Sequence, residues 1–320
     1  MNILVTAIGS MSAECVISSL KKEGHFVVGC DIYPGEWHYE TKLCDKFKQA
    51  PLAKSVEYIP FLLDLVRKYN IEYLFPLTDL EIDVLTNKRD LFLVEGCTIC
   101  ISSKETISIV RNKYNLYLFF KDDNFVPSIK SWNTDELLNS QDFYRFPYIA
   151  KPCDGRSSEG LKKIVNQQEL KNVLSQSNYL IQECVGGSVF TVDYVRQAST
   201  DKYLVIPRQE LLRTPNGAGL TVKLINDDQL KQLTHYIGDK LNINGCVNME
   251  FIYSEESNSY FLIDINPRFS AGVAFSQYSK NPIIKNHIEC FINSKEIDNQ
   301  YNYKEMLLSK RMKEEILKKL

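Results

Sequence analysis

Residues 3–102 alternate without a break between short β-prone apolar runs and amphipathic segments of helical period. No other feature restricts the fold as much. ILVTAIG (3–9), HFVVGCD (25–31), IEYLFPL (71–77) and CTICIS (97–102) read as strands. SAECVISSLKKEG (12–24), EYIPFLLDLVRKYN (57–70) and LEIDVLTNKRDLFLVEG (80–96) read as helices. Repeated βαβ units require right-handed crossovers, so the strands form a parallel sheet with helices on both faces. Ligands of such sheets gather at the carboxyl ends of the strands. Gly9, Ser10, Asp31, Thr78 and Asp79 fall there.

A dinucleotide site is not expected at those ends. The first turn, AIGSMS, has one glycine where the pyrophosphate fingerprint needs three. Asp31 stands where a ribose-binding acid would, but alone it is weak. A nucleotide fold that now supplies one wall of a cleft is the better reading, and it opposes a nicotinamide-dependent oxidoreductase.

The pattern changes near residue 104. SKETISIVRNKYNLYLFFKDDNF reads as two short helices, and VPSIKSW leads into an amphipathic helix. FPYIAKP, LKKIV and NYLIQE read as strands around the helix QQELKNVL. Past Gly186 and Gly187 come the long strands SVFTVDYVRQ, KYLVIPRQELLR, LTVKLI, GCVNMEFIYS and YFLIDINP, with the helix DDQLKQLTHYIGDKL among them. A small α+β unit followed by a larger antiparallel sheet implies two lobes and a hinge near 183–187. The expected division is 1–104, 105–185 and 186–320.

The formal net charge of −2 offers nothing to a nucleic acid or an anionic membrane. No run is long and apolar enough to span a bilayer, and MNILVTAIGS enters a strand pattern with no basic lead. The nine cysteines lack framework spacing and fit a reducing cytosol. Cys97 and Cys100 are expected on opposite faces of one strand, not as a redox or metal pair. The four histidines are scattered and read as structural or exposed. The tail KRMKEEILKKL mixes both charge signs at helical spacing and reads as a solvated helix.

Two stretches carry chemistry. In FPYIAKPCDGRSSEG a strand ends at Lys151 and a polar loop follows with Gly155, Ser157, Ser158 and Gly160. Such a loop can wrap N–H groups around phosphate oxygens while the lysine supplies a fixed charge. Standing alone, such a stretch is an ordinary hairpin loop more often than not. In NMEFIYSEESNSYFLIDINPR two hairpin strands bring Glu250 beside Asp264 and Asn266. Strand geometry running through Pro267 would add Arg268 to that face. Two carboxylates and an amide oxygen suit magnesium, and the lack of His and Cys disfavours zinc. The competing reading is an Asp264–Arg268 salt bridge that closes a turn.

With these motifs the chain resembles ATP-grasp enzymes of the carbamoyl-phosphate-synthase-like group, which includes amino-acid ligases. LIDINPRFSAG is similar to that group's E-[IM]-N-P-R-x-[SG] signature, and RNKYNLYLFFKDDNFVPS to its lysine-bearing helix. LVTAIG and FPLTDLEIDVL also look like the group. The resemblance covers nearly the whole chain. It implies a Rossmann-like pre-ATP-grasp domain followed by a two-lobed ATP-grasp domain, an α/β and α+β architecture. It further implies that Lys113 and Lys151 contact ATP phosphates and that the loop from Asp154 to Gly160 closes over them. Gln182, Glu183 and Val185 would form the adenine hinge. Glu250, Asp264 and Asn266 would hold magnesium, with manganese as an alternative. Arg268 and Arg213 would stabilise the transferring group, and Lys223 would add a phosphate contact. The implied activity is a cytoplasmic, ADP-forming carboxylate–amine ligase, compatible with a homodimer, acting through an acyl phosphate on small molecules. Two positions depart from the pattern: Val189 replaces a ribose-binding glutamate, and Asp264 replaces the longer glutamate. Val189 motivates an alternative, an ATP-binding regulatory or scaffold protein with little turnover.

Overall fold

The computed structural model describes residues 1–139, 145–156, 159–299 and 303–317. Its strands form three sheets. The first contains β1 (Asn2–Thr6), β2 (Phe26–Asp31), β3 (Lys46–Gln49), β4 (Tyr73–Phe75) and β5 (Thr98–Ile99), in the order β3-β2-β1-β4-β5. Every pair in it is parallel. The chain adds β2 and β3 on one side of β1 and then β4 and β5 on the other, so the strand order reverses between β1 and β4. That reversal opens a crevice beyond their carboxyl ends, between residues 9–12 and 77–79.

Helix α1 (Ala13–Lys22) covers this sheet because Ala13, Val16, Ile17 and Leu20 recur at helical spacing, and all four are buried. Helix α2 (Tyr58–Tyr69) follows the same logic. The single helix expected over 80–96 is broken into α3 (Asp79–Leu85), a 3₁₀ turn and α4 (Arg89–Val94). Thr78 precedes α3 in a capping box: the Glu81 carboxylate accepts from the Thr78 N–H at 3.2 Å. Cys97 and Cys100 flank the short β5, both buried, and pack into different core clusters, as expected for opposite faces.

Helices α5 (Lys104–Val110) and α6 (Lys113–Phe120) lead to a four-stranded antiparallel sheet. Its strands β6 (Ser131–Asn133), β7 (Tyr148–Pro152), β8 (Lys162–Ile164) and β9 (Tyr179–Glu183) run in the order β6-β9-β7-β8. Helices α7 (Thr134–Asn139) and α8 (Gln167–Leu174) accompany it. Trp132, Leu137, Tyr148, Ile164, Leu170 and Ile181 give this lobe a core cluster of its own, which suits a unit able to move as a body.

The third sheet holds β10 (Ser188–Gln197), β11 (Lys202–Arg213), β12 (Gly219–Leu224), β13 (Gly245–Ser254), β14 (Ser259–Asn266) and β15 (Met306–Ser309). It is antiparallel, in the order β14-β13-β10-β11-β12-β15. Helices α9 (Asp228–Lys240), α10 (Val273–Ser276) and α11 (Ile283–Glu289) complete the chain. Ile3, Ile17 and Phe75 of the parallel-sheet unit share one buried cluster with Val195, Ile206, Leu224 and Ile288. The first and third sheets are therefore joined by continuous apolar packing. Gly187 links the second sheet to the third at φ +153°, where an added Cβ would lie 2.0 Å from the Tyr253 carbonyl oxygen. Only glycine fits that approach.

The tail departs from expectation. Residues 310–317 are exposed for the most part, but they form no helix. β15 instead extends the third sheet at its edge, and the Lys310 N–H donates to the Leu220 carbonyl at 2.7 Å. Among the described residues no helix is long and apolar enough to cross a membrane.

Candidate active site

The three sheets surround one cleft of about 810 Å³. Its floor is the β13–β14 ladder, which sets Glu250 opposite Asp264 and Asn248 opposite Asn266. The register skips at Ile263, because Phe251 pairs with Leu262. A bulged residue leaves the ladder and turns its carbonyl away. The Ile263 carbonyl accepts from Lys151 Nζ at 3.0 Å, which seats the end of β7 on the floor.

Lys151 is buried, and desolvation pushes its ammonium down to about 8, against Asp264 and Glu250 and with help from Lys113. Lys113 opens α6, whose N-cap Asn112 accepts from the Tyr114 and Asn115 N–H groups. The Lys113 ammonium donates to the Gly155 carbonyl at 2.8 Å and lies 3.3 Å from Asp264 Oδ2. It therefore touches the lid loop and the floor together. Arg213 donates to the Gly217 carbonyl at 2.7 Å and to Glu250 Oε2 at 3.1 Å. Desolvation in the cleft pushes the Glu250 carboxyl up, Arg213 opposes the rise and Asp264 adds to it. Two neighbouring carboxylates, each held by a cation, form an anionic pair that a divalent ion would suit.

The strand does not run straight through Pro267. The Arg268 N–H donates to the Asn266 carbonyl at 2.8 Å, so the chain turns there. Arg268 does not close that turn on Asp264. Its Nε and Nη2 donate to Asp79 Oδ2 at 3.0 and 2.8 Å, and Nη2 also reaches Asn266 Oδ1 at 3.3 Å. Burial raises the Asp79 carboxyl, but Arg268, Arg111 and Lys113 outweigh it and hold Asp79 below the usual range. Asn266 Nδ2 donates to Asn248 Oδ1 at 3.2 Å, which fixes the amide and keeps its oxygen on the Arg268 side.

Among the described residues no cluster of three or more His, Cys, Asp or Glu could hold a metal. Magnesium does not need one, because it keeps several waters and commonly takes one or two carboxylates plus phosphate oxygens. Glu250, Asp264 and the oriented Asn266 oxygen are such a hard-oxygen set, and they fit.

The other expected residues fall as follows. Gly155 lines the cleft with Arg156 and Glu159. Asp154 does not line it; its carboxylate accepts from Asn178 Nδ2 at 2.8 Å. Gly160 sits at φ +72° against Pro152, where the loop turns back. Ser157 and Ser158 lie outside the described residues. Gln182 is buried and donates to Ser131 Oγ at 2.9 Å. It lines an apolar slot of about 30 Å³ with Lys113, Ile129, Leu180 and Ile263. Glu183 is exposed and Val185 half-buried, and neither lines the slot or the cleft. Lys223 requires correction as a phosphate contact. Its half-exposed ammonium pairs with Glu305 at 2.8 Å and does not line the cleft, because β12 turns it toward the strand added by the tail.

Sequence reasoning looked to the strand ends near Arg208 to Arg213 for a cleft wall but did not foresee the network there. Arg208 donates to Asp193 at 2.7 Å, Glu210 at 3.0 Å and Ser270 at 3.1 Å, and its guanidinium lies fully inside the protein. Arg208 and Glu210, two apart on β11, were the available signal, since both point to one face. The parallel-sheet wall contributes Ser10, Met11, Ser12, Leu77, Thr78 and Asp79. The missing glycines of a dinucleotide loop have a structural counterpart. Asp31 accepts from the Gly9 N–H at 2.9 Å, and a Cβ at Gly9 would lie 2.5 Å from the His38 ring, which fills the space above that turn. His287 is structural: buried and pushed down to about 3, it accepts from the Cys246 N–H at 2.8 Å.

Known proteins share this fold. The family model for an ATP-grasp domain matches residues 110–272, and that for a PylC-like N-terminal domain matches residues 3–100. A D-alanine–D-alanine ligase of Petrotoga mobilis is 23% identical over 271 residues, 73% of this chain and 89% of that protein. The carbamoyl phosphate synthase large chain of Methanobrevibacter smithii is 22% identical over 289 residues; the match takes in 83% of this chain but only 27% of that relative. Among solved structures, the MgADP and bicarbonate complex of the biotin carboxylase domain dimer of Hydrogenobacter thermophilus 2-oxoglutarate carboxylase superposes with a TM-score of 0.77. That match has 15% identity and covers 93% of this chain and 71% of that one. Staphylococcus aureus N5-carboxyaminoimidazole synthetase with ADP gives a TM-score of 0.73 at 14% identity, over 93% of this chain and 78% of that one. At such identities the superpositions speak for the fold alone. The chain belongs to the ATP-grasp family, whose members are ATP-dependent, ADP-forming ligases, and it joins a Rossmann-like N-terminal domain to a two-lobed ATP-grasp domain.

Proposed function

We propose that the protein is an ATP- and magnesium-dependent carboxylate–amine ligase acting through an acyl phosphate, on an amino acid or another small carboxylate. The observation that carries this reading is the convergence of Lys113, Lys151, Arg213, Glu250, Asp264, Asn266 and Arg268 on one cleft. In this reading residues 1–104 supply one wall, 105–185 the lid and 186–320 the floor.

The adenine packs beside Gln182 and Leu180, where opening of the lid widens the slot, and the phosphates extend from there past Lys113 and Lys151 to Gly155. Magnesium, when bound at Glu250, Asp264 and Asn266, supplies neutralisation of phosphate charge. Lys151 and Lys113 meet the phosphate oxygens with fixed positive charge. Arg268, anchored by Asp79, and Arg213 stand ready for charge that spreads over the equatorial oxygens in transfer. A substrate carboxylate oxygen attacks the γ-phosphorus, forming the acyl phosphate and releasing ADP. The amine then attacks the carbonyl carbon, phosphate leaves, and the amine nitrogen gives up a proton. The lid, with its own core, closes to keep water from the acyl phosphate until the amine arrives. No nucleophilic side chain is needed, because positioning and electrostatics do the work.

Incubation with Mg-ATP and pooled amino acids, with free phosphate as readout, tests the proposal. Release that depends on both a carboxylate and an amine supports it. Tight nucleotide binding with background release for every mixture would point to a regulatory protein.

A further inference from the structure

The strap that follows β15 takes no part in the chemistry above, yet it crosses the mouth of the cleft. The Lys310 N–H is tied to Leu220 of the third sheet at 2.7 Å. Six residues on, the Ile316 carbonyl accepts from Lys42 Nζ of the parallel-sheet unit at 2.9 Å. At the first anchor burial lowers the Lys310 ammonium, and Glu14 of α1 opposes that fall. In KRMKEE, residues 310–315, Met312 is the one apolar side chain, and it is the strap residue that lines the cleft. Met11, on the turn before α1, lines the same cleft, and the two are 43% and 69% exposed for Met11 and Met312 respectively. Leu77, Phe269 and Ala271 continue the apolar lining. Large apolar side chains left open at a cleft mouth are surface that a ligand can cover.

We propose that Met11 and Met312 form a thioether wall that receives the apolar side chain of an amino-acid substrate, with the strap positioning Met312. This rests on the ligase reading. Unbranched, polarizable thioethers repack around side chains of different shape, so the wall suits aliphatic and aromatic amino acids as a class. The thioethers themselves offer a charged side chain no opposite charge and no strong hydrogen bond.

The chain has five methionines, so methyl-13C-methionine labelling of the full chain gives a small, assignable set of signals. L-leucine, L-phenylalanine and L-aspartate are titrated separately at saturating MgADP. The Met11 and Met312 methyls should shift saturably with leucine or phenylalanine and stay put with aspartate, while core Met249 is silent throughout. A Met312 methyl that no amino acid moves, or that aspartate moves as far as leucine, overturns the wall. In turnover, Met312→Glu should raise KM for an apolar amino acid roughly tenfold with a smaller change in kcat, and Met312→Leu should restore it. An unchanged KM in Met312→Glu overturns the wall and leaves the ligase reading standing. Failure of the wild type to release phosphate overturns the ligase reading, and the methyl shifts still decide the wall.

Discussion

Nucleotide binding should weaken above pH 8 because of one buried lysine. Lys151 is buried beside the Ile263 carbonyl, and desolvation lowers its ammonium to about 8 from 10.5. At that value it is about one-tenth neutral at pH 7, half at pH 8 and nine-tenths at pH 9. If only the ammonium holds the phosphates, the apparent Kd for a non-hydrolysable Mg-ATP analogue rises roughly tenfold from pH 7 to pH 9, about 1.4 kcal/mol. Binding at pH 9 should also take up nearly one proton, visible by calorimetry in two buffers of different ionisation heat. The same burial acts on folding. The unfolded chain binds the proton more tightly than the folded one, so stability rises with pH between about 8 and 10.5. Below about pH 8 the penalty is full, about 3.4 kcal/mol for a fall from 10.5 to about 8. Lys151→Met should therefore be more stable than wild type at pH 7, by up to that amount, and should bind nucleotide poorly at every pH. A wild-type Kd that is flat from pH 7 to 9 with no proton uptake would refute the placement of this lysine at the phosphates.

Further outcomes follow from the same geometry. Asp264→Ala should abolish magnesium-dependent turnover and leave the circular dichroism spectrum unchanged; retained activity would sink the metal assignment. Arg268→Met strips the buried Asp79 of its closest cation and should cost about 3 kcal/mol in urea unfolding at pH 7. Asp79 is held low in the wild type, so its share of stability is present at neutral pH and lost as pH falls below about 4. The deficit of the variant should accordingly shrink in acid; a deficit constant down to pH 3 would contradict the pairing. Gly187→Ala sets a Cβ against the Tyr253 carbonyl oxygen and should destabilise the lobe junction by roughly 2 kcal/mol or more, seen as a lower Tm. An unchanged Tm would show that the junction can relax.

Period-two and helical patterning made the sheets legible, since burial repeats along each element. Asp264 and Asn266 could be placed on one face because both lie on a single strand, and Glu250 because it lies on the adjoining hairpin strand. Neither the Ile263 bulge nor the Asp79 partner of Arg268 was legible. The first depends on how two strands settle against β7, and the second joins residues 189 positions apart. The tail was misread for a related reason. Its charge spacing suits a helix locally, but β15 just before it pairs with the open edge of β12, and the Lys310 N–H bond to Leu220 carries 310–317 onward without a helix. Lys223 was misplaced with it, because Glu305 of the same tail takes its charge. The partners of Arg208 were not legible, because a guanidinium in a strand pattern reads as exposed until Asp193 of the neighbouring strand and Glu210 of its own strand are known to meet it.

The central claim is that the cleft activates a carboxylate by phosphorylation. Amino acids labelled with 18O in their carboxylates, supplied as a pool with Mg-ATP, test it most directly when the released phosphate is weighed by mass spectrometry. The account predicts one labelled oxygen transferred to each phosphate. Unlabelled phosphate, or none above background, would contradict it.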